Sequence, residues 1–402
     1  MAIVKLGDIC EKIGSGATPR GGKESYCAVG VSLIRSQNVL DFSFSTNGLV
    51  FINNEQTRKL GSVEVQAGDI LLNITGDSVA RACEVDATFL PARVNQHVAI
   101  IRGNTNHVLN KYILYFLQWK KNYLLQLASA GATRSALTKG MIEQLEINLP
   151  TLENQRKVVE TLDSLQKKIN LNQKVNDNLQ QQLRTIFKAE FTDNPELENI
   201  TQIPLSELCH VVTKGTTPTT LGKPFVESGI NFIKAESILD DHSIDKSKFA
   251  FIDEETNALL KRSIIHAGDV VFTIAGTLGR FALIDENVLP ANTNQAVAII
   301  RADVEKVLPE YIYTCFIGEW HTDYYAKRVQ QAVQANLSLT TIKSLPIPLL
   351  DEAKMSEYLS LILPLIKAIK TNEAQNEKLA ALRDNLLPKL MSGEIDVSDI
   401  QF

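Results

Sequence analysis

The chain has 402 residues, of which 44% are apolar and 22% charged, and a formal net charge of −5. That length suffices for two or three domains with real cores, and the acidic balance excludes a uniformly polycationic binder while leaving a local basic groove open. The opening MAIVKLGDICEKIGSG lacks a signal-peptide apolar run, and the longest apolar stretch, 358–369, is too short to span a bilayer, so no membrane association and a cytoplasmic location are expected.

In chain order, the first half reads as turns alternating with short β-branched runs. SGATP (15–19) and LIRSQNV (33–39) are followed by VQAGDILLNITG (65–76) and LPARVNQHVAIIR (90–102). GDILLNIT and HVAIIR follow turn residues and are predicted strands. LNKYILYFLQWKKNYLLQLA (109–128) carries apolar residues at helical spacing. Pro150 closes this segment, Thr151 is a candidate N-cap with Glu153 in the first turn, and helix formers run on to about Glu190. Val158, Leu162, Leu165, Ile169, Asn172, Asn176, Leu179, Leu183 and Ile186 alternate by fours and threes, which is a coiled-coil seam. FTDNPELENITQ (191–202) reads as a linker.

The chain then repeats itself at an offset of 199 or 200 residues. IPLSELC (203–209) answers VKLGDIC (4–10), KGTTP (214–218) answers SGATP, and FIKAESI (232–238) answers LIRSQNV. IHAGDVVFTIAG (265–276) answers VQAGDILLNITG, and LPANTNQAVAIIR (289–301) differs from its first copy only at Arg93/Asn292, Val94/Thr293 and His97/Ala296. A second helical segment (308–327) follows, and NLSLTTIKSLPIPLL (336–350) faces SALTKGMIEQLEINLP (135–150). The second seam reads Ile362, Leu365, Ile369, Asn372, Asn376, Leu379, Arg383 and Leu386, with Pro364 expected to kink or break it. Asparagines at the same seam positions in both copies fix register at a cost in stability.

The fold class is therefore α+β: two similar mixed heads joined by two long antiparallel coiled-coil helices, with a pseudo-twofold internal repeat. The expected object is a dumbbell whose forty-residue bar is about 60 Å long. The expected boundaries are a first head at 1–150, a first spacer helix at 151–191, a linker and second head at 192–349, and a second helix with the C-terminal tail at 350–402.

SGATP and KGTTP, AGDILLNITG and its echo, the VNQHVAI and TNQAVAI loops, LPTLENQRKVVETL at the first long helix and LLPKLMSGEI near the C-terminus occur in this order. Together they resemble the specificity subunit of a type I restriction-modification system, over essentially the whole chain. The second spacer departs from the pattern, opening Asp351-Glu-Ala-Lys354. The resemblance implies two target-recognition domains, each reading one half of a bipartite site on double-stranded DNA. Spacer helices would set the half-site distance and dock two methyltransferase subunits, and restriction subunits would join them.

Independently of the resemblance, paired heads on a fixed bar suit two half-sites, and a duplicated chain frees each half to diverge. Arg93/Asn292 and His97/Ala296 are substitutions by which the heads would read different bases, since Arg suits guanine and Asn or Gln suits adenine. Candidate DNA contacts in the first head are Ser15, Thr18, Arg20, Arg35, Gln37, Asn38, Arg81, Arg93, Asn95, Gln96, Arg134 and Ser135. Those in the second are Lys214, Thr217, Lys234, Ser237, Arg280, Asn292, Asn294, Gln295, Gln334 and Asn336. SGATPRGGK lacks the GK[ST] ending and frame of a phosphate-binding loop.

No catalytic site is expected. The Asn/Asp-Pro-Pro-Tyr/Phe motif of an adenine methyltransferase is absent, no nucleophile constellation recurs in both halves, and the five cysteines and six histidines lack metal-ligand spacing. No cofactor or metal is expected in this chain; S-adenosylmethionine, ATP and Mg belong to the partners the resemblance implies. The competing readings are a coiled-coil scaffold whose heads bind proteins and an enzyme with a divergent site.

Overall fold

A computed structural model describes residues 2–19, 21–129, 135–194, 200–322, 324 and 336–398. The chain separates into two compact units that are not contiguous in sequence: residues 1–170 with 377–402, and residues 171–376. Each unit thus combines one head with a part of each long helix.

In the first unit, Cys10–Ser15, Val98–Gly103, Ile70–Asn73 and Ala82–Glu84 form a four-stranded antiparallel sheet in that order. A second four-stranded sheet runs Val50–Ile52, Val31–Ile34, Ala92–Val94, Glu64–Val65, with Val31–Ile34 parallel to Ala92–Val94. Ala2–Lys5 pairs with Glu146–Leu149. The second unit rebuilds all three sheets from Cys209–Lys214, Val297–Ala302, Val270–Thr273 and Phe281–Leu283; Ala250–Ile252, Ile230–Ile233, Ala291–Thr293 and Ile264–Ile265; and Gln202–Pro204 with Pro346–Pro348.

The predicted strands are present; the segment 109–128 forms two helices, Asn110–Trp119 and Lys121–Ser129, and 308–327 is helical over Pro309–Ile317, with 323 and 325–327 outside the described residues. ILLN (70–73) is buried at every position, and Val98–Gly103 is nearly so, because one face meets each of two cores. Helix Asn110–Trp119 is buried from Tyr112 to Gln118, and its counterpart Pro309–Ile317 is likewise enclosed. Such all-round apolarity belongs to a helix sunk in a core rather than lying on it. Tyr112 donates its hydroxyl to the Asn148 carbonyl at 3.0 Å and Tyr311 to that of Pro348 at 2.6 Å.

One frame contact recurs in both heads and explains two motif residues. Asp69 of the Gly-Asp turn is fully buried and takes a bidentate pair from Arg102 at 2.6 and 2.7 Å. Asp269 takes the same pair from Arg301 at 2.7 Å through each oxygen. The aspartate of AGD and the arginine of VAIIR are therefore a buried structural ion pair, whose two-point geometry is the strong form of such contacts.

The long helices are Leu152–Phe191 and Glu352–Ser392. Gln155, fully buried at the start of the first, accepts from the Leu109 amide and donates to the His107 and Pro150 carbonyls. Of the kink or break expected at Pro364, the break does not occur: the second helix runs through it continuously. Each proline removes one backbone bond, but Ile362, Ile366 and Ile369 are anchored in the core of the second unit, and packing outweighs the missing bond. Within that unit the helical segments are antiparallel: Asn172 donates to Asn376 and Gln375, both at 2.8 Å, and Asn372 donates to Asn176 at 2.8 Å. Within the first unit Gln166 meets Arg383 in the same sense, at 2.5 Å. Arg383 also lies 4.2 Å over the Phe42 ring, so the arginine in the leucine seam packs on its head.

Candidate nucleic-acid interface

Two polar loops meet on each head. Gly16 lies so close to the neighbouring strand that a Cβ would sit 1.8 Å from the Val94 carbonyl oxygen, and at Gly215 it would sit 1.9 Å from that of Thr293. The Gly-x-Thr-Pro loop is thereby pressed against the Asn-Gln loop. Thr18 donates to Gln96 and Thr217 to Gln295. Asn95 and Asn294 turn inward, each accepting the amide two residues ahead at 3.1 Å. Ser15 and Lys214 are exposed beside these loops. The structure thus brings Ser15, Thr18 and Gln96 together on one head, and Lys214, Thr217 and Gln295 on the other.

Other candidates are engaged within the heads, and four of them are buried there. Arg93 is buried, donates to the Ala92 carbonyl at 2.9 Å and lies 3.4 Å from Glu64. Asn292 is fully buried and donates to Asn257 at 2.9 Å. These residues sit within strands of the mixed sheet, so the Arg93/Asn292 difference is internal repacking rather than a change of reading surface. Asn38 and Ser237 are also fully buried. Asn38 donates to the Ser45 and Asn47 carbonyls, Gln37 donates to Asn47, and Arg35 donates to Gly48, so the three clamp one loop. Lys234 is paired with Glu236 at 2.8 Å. Arg20, Arg134 and Gln334 lie outside the described residues, and Asn336 is exposed.

The first head also holds a cleft of about 960 Å³, whose lining includes the polar side chains of Ser36, Gln37, Thr75, Asp77, Ser78, Arg81, His97 and Ser135. His97 Nε2 meets the Gln96 amide nitrogen at 3.0 Å, and its Nδ1 meets Thr75 Oγ1 at 2.6 Å. With the amide as donor, the imidazole proton belongs on Nδ1 and points at the threonine. Ser36, Thr75, Asp77 and Ser78 were not among the sequence candidates. Thr75 was detectable, since its counterpart in the repeat is Ala275. At the equivalent point of the second head Ala296 replaces His97, so the polar pair has no counterpart there.

The side chains gathered here are hydrogen-bond donors and acceptors. Among the described residues no three His, Cys, Asp or Glu side chains are placed to hold a metal. Burial pushes the thiols of Cys10, Cys83 and Cys209 up to about 12, away from nucleophilic thiolates. No described helix is long and apolar enough to cross a membrane.

Comparison with known proteins agrees with this arrangement. The type I restriction modification DNA specificity domain matches residues 1–181 and again 198–381. The chain is 24% identical over 316 residues to the type I restriction enzyme MjaIX specificity subunit of Methanocaldococcus jannaschii, covering 73% of this chain and 71% of that one. It is 23% identical over 414 residues to the HindI specificity subunit of Haemophilus influenzae, covering 82% and 87%. The crystal structure of the type I restriction-modification S subunit from M. genitalium superposes with a TM-score of 0.51 at 13% identity, covering 97% and 96% of the two chains.

Proposed function

The chain belongs to the type I restriction-modification DNA specificity family, and on that premise we propose that its two heads each read one half of a bipartite, asymmetric site on double-stranded DNA. It is a sequence-specific DNA recognition subunit of such a system. The carrying observation is the duplication itself: the Asp–Arg frame pair and the Gly-x-Thr-Pro against Asn-Gln loops recur in both heads, while Thr75 and His97 give way to Ala275 and Ala296. A repeated frame with a divergent polar surface suits two readers of different sequence. The long helices dock two methyltransferase subunits and set the half-site spacing. Adenine methylation with S-adenosylmethionine, and cleavage with ATP and Mg, are carried by methyltransferase and restriction subunits.

The test is a head exchange. Replacing residues 1–150 with the matching domain of a related subunit, assembling with methyltransferase subunits and mapping methylated sites should change one half of the motif. Replacing 200–349 should change the other half. A single exchange that alters both halves, or methyl transfer by the chain alone, overturns the reading.

A further inference from the structure

Arg81 and Arg280 are the same residue in the repeat. Each carbonyl accepts the amide of the equivalent strand residue, Asn73 at 2.8 Å and Thr273 at 2.7 Å. Each follows a residue of positive φ, Ala80 at 67° and Gly279 at 87°. Their side chains nevertheless differ in what they meet. Arg280 makes a two-point pair with Asp240 at 2.6 and 2.8 Å and donates a third bond to the Ile238 carbonyl at 3.2 Å. The Arg81 guanidinium has no hydrogen-bond or ion-pair partner among the described residues and lines the cleft.

The cause lies in the neighbouring helix. In the first head the loop carboxylate, Asp41, is taken up by Lys121 and by Gln118, the latter at 3.2 Å. In the repeat those helix positions are Trp320 and Ile317, which have no cation to offer. The loop itself is one residue longer in the second head: Leu40 and Ser43 are joined there by a backbone bond, as are Leu239 and Ser243. Asp241 then turns to Gln173 and Ser243, while Asp240 is left to face Arg280.

We infer that the two heads engage their half-sites with unequal charge: Arg81 is a DNA-contacting cation of the first head, and Asp240 masks its counterpart Arg280 in the second. The inference rests on the reading of the heads as DNA readers. Arg81 would meet an acceptor-rich element of DNA, either a phosphate oxygen or the N7/O6 edge of guanine. Asp77 in the same cleft restricts how closely a phosphate can settle and offers an acceptor to a cytosine amino group. The Arg280–Asp240 pair presents almost no net charge, and a phosphate must displace a two-point carboxylate to bind there.

The test uses the chain assembled with methyltransferase subunits, on duplexes carrying the methylation-mapped site. Arg81→Ala is expected to weaken binding about 10- to 100-fold, and Arg280→Ala to change it less than about 2-fold. A uniform loss across sequences, with the salt slope reduced by about one, identifies a phosphate contact; relaxed selection at one base pair of the first half-site identifies guanine. Asp240→Ala, at an exposed side chain, should tighten binding, and this gain should vanish in the Asp240→Ala/Arg280→Ala double variant. Equal losses for the two arginine variants, no loss for Arg81→Ala, or a gain from Asp240→Ala that survives removal of Arg280 overturns the inference while leaving the DNA-reading function intact. A wild-type complex that fails to select its methylated site overturns both.

Discussion

The four seam asparagines give a sharp energetic test, because the structure pairs them crosswise within one unit. Asn176 is 3% exposed and its Oδ1 accepts from Asn372 at 2.8 Å, whereas Asn372 itself is half-buried. Asn372→Leu should therefore strand a buried acceptor and cost about 1–3 kcal/mol. Asn176→Leu instead removes the buried polar group and leaves Asn372 within reach of water, so its effect should lie within about 1 kcal/mol of zero. The double variant places two apolar side chains in a coiled-coil seam and should be neutral or more stable. The resulting coupling is about 1–3 kcal/mol in magnitude. Asn172 and Asn372 share no hydrogen bond, and that double variant should couple by less than about 0.5 kcal/mol. Urea unfolding followed by tryptophan fluorescence isolates this unit in a Trp119→Phe background, since Trp320 is then the sole tryptophan of the chain. Additive behaviour of Asn176 with Asn372, or coupling as large between Asn172 and Asn372, would refute the crosswise pairing.

Two further outcomes follow from local geometry. Gly16→Ala forces a Cβ to within 1.8 Å of the Val94 carbonyl, so the Thr18–Gln96 surface should separate and selection be lost in one half-site alone; Gly215→Ala should do the same to the other, as read by methylation mapping. Burial, with Arg184 adding to it, holds His242 down at about 4, below its ordinary 6.5. A depressed histidine stabilises the fold fully above pH 6.5 and loses that contribution as pH falls toward 4, by at most about 3 kcal/mol. His242→Phe, the residue present at the equivalent Phe42, should flatten this part of the stability profile relative to wild type in thermal unfolding across pH 4–7. An unchanged slope would show that His242 is not the titrating group; buried His321, held near 3, and Glu373, raised by burial, are further groups that titrate differently in the fold.

The duplicated frame was legible because apolar runs, Gly-Asp turns and seam spacing are periodic properties of the chain itself. Asn172, Asn176, Asn372 and Asn376 could be assigned from spacing alone, since antiparallel helices with matching seams must bring them level. Pro364 misled because propensity is local, whereas the isoleucines that hold the helix through it act across the core. Arg93 and Asn292 misled for a related reason. A substitution between copies signals a changed environment, and strand alternation alone did not reveal that both faces of Ala92–Val94 are covered. Arg35 and Lys234 match across the copies in position but not in partner: Arg35 donates to the Gly48 carbonyl, whereas Lys234 pairs with Glu236. The cleft residues Asp77 and Ser78 were hidden in a segment where the copies differ in length, four residues between Gly76 and Arg81 but three between Gly276 and Arg280.

The acidic composition constrains how such a chain can hold DNA. Affinity for duplex DNA grows with the number of phosphates neutralised, and each adds about 0.9 to the salt slope. Many of the described arginines are committed internally: Arg35 to Gly48, Arg93 to Glu64, Arg102 and Arg301 to buried aspartates, Arg280 to Asp240 and Arg383 to Gln166. A cation held by a carboxylate releases no counterion when DNA arrives. On the proposed function, directional contacts by Thr, Gln and Ser side chains then carry more of the chain's own share than they would in a basic binder, beside cations such as Arg81 and Lys214. Directional contacts carry sequence information but little long-range attraction. On the proposed function this is a division of labour with a physical basis: the chain supplies discrimination, and the bulk of the phosphate neutralisation falls to the subunits assembled around it.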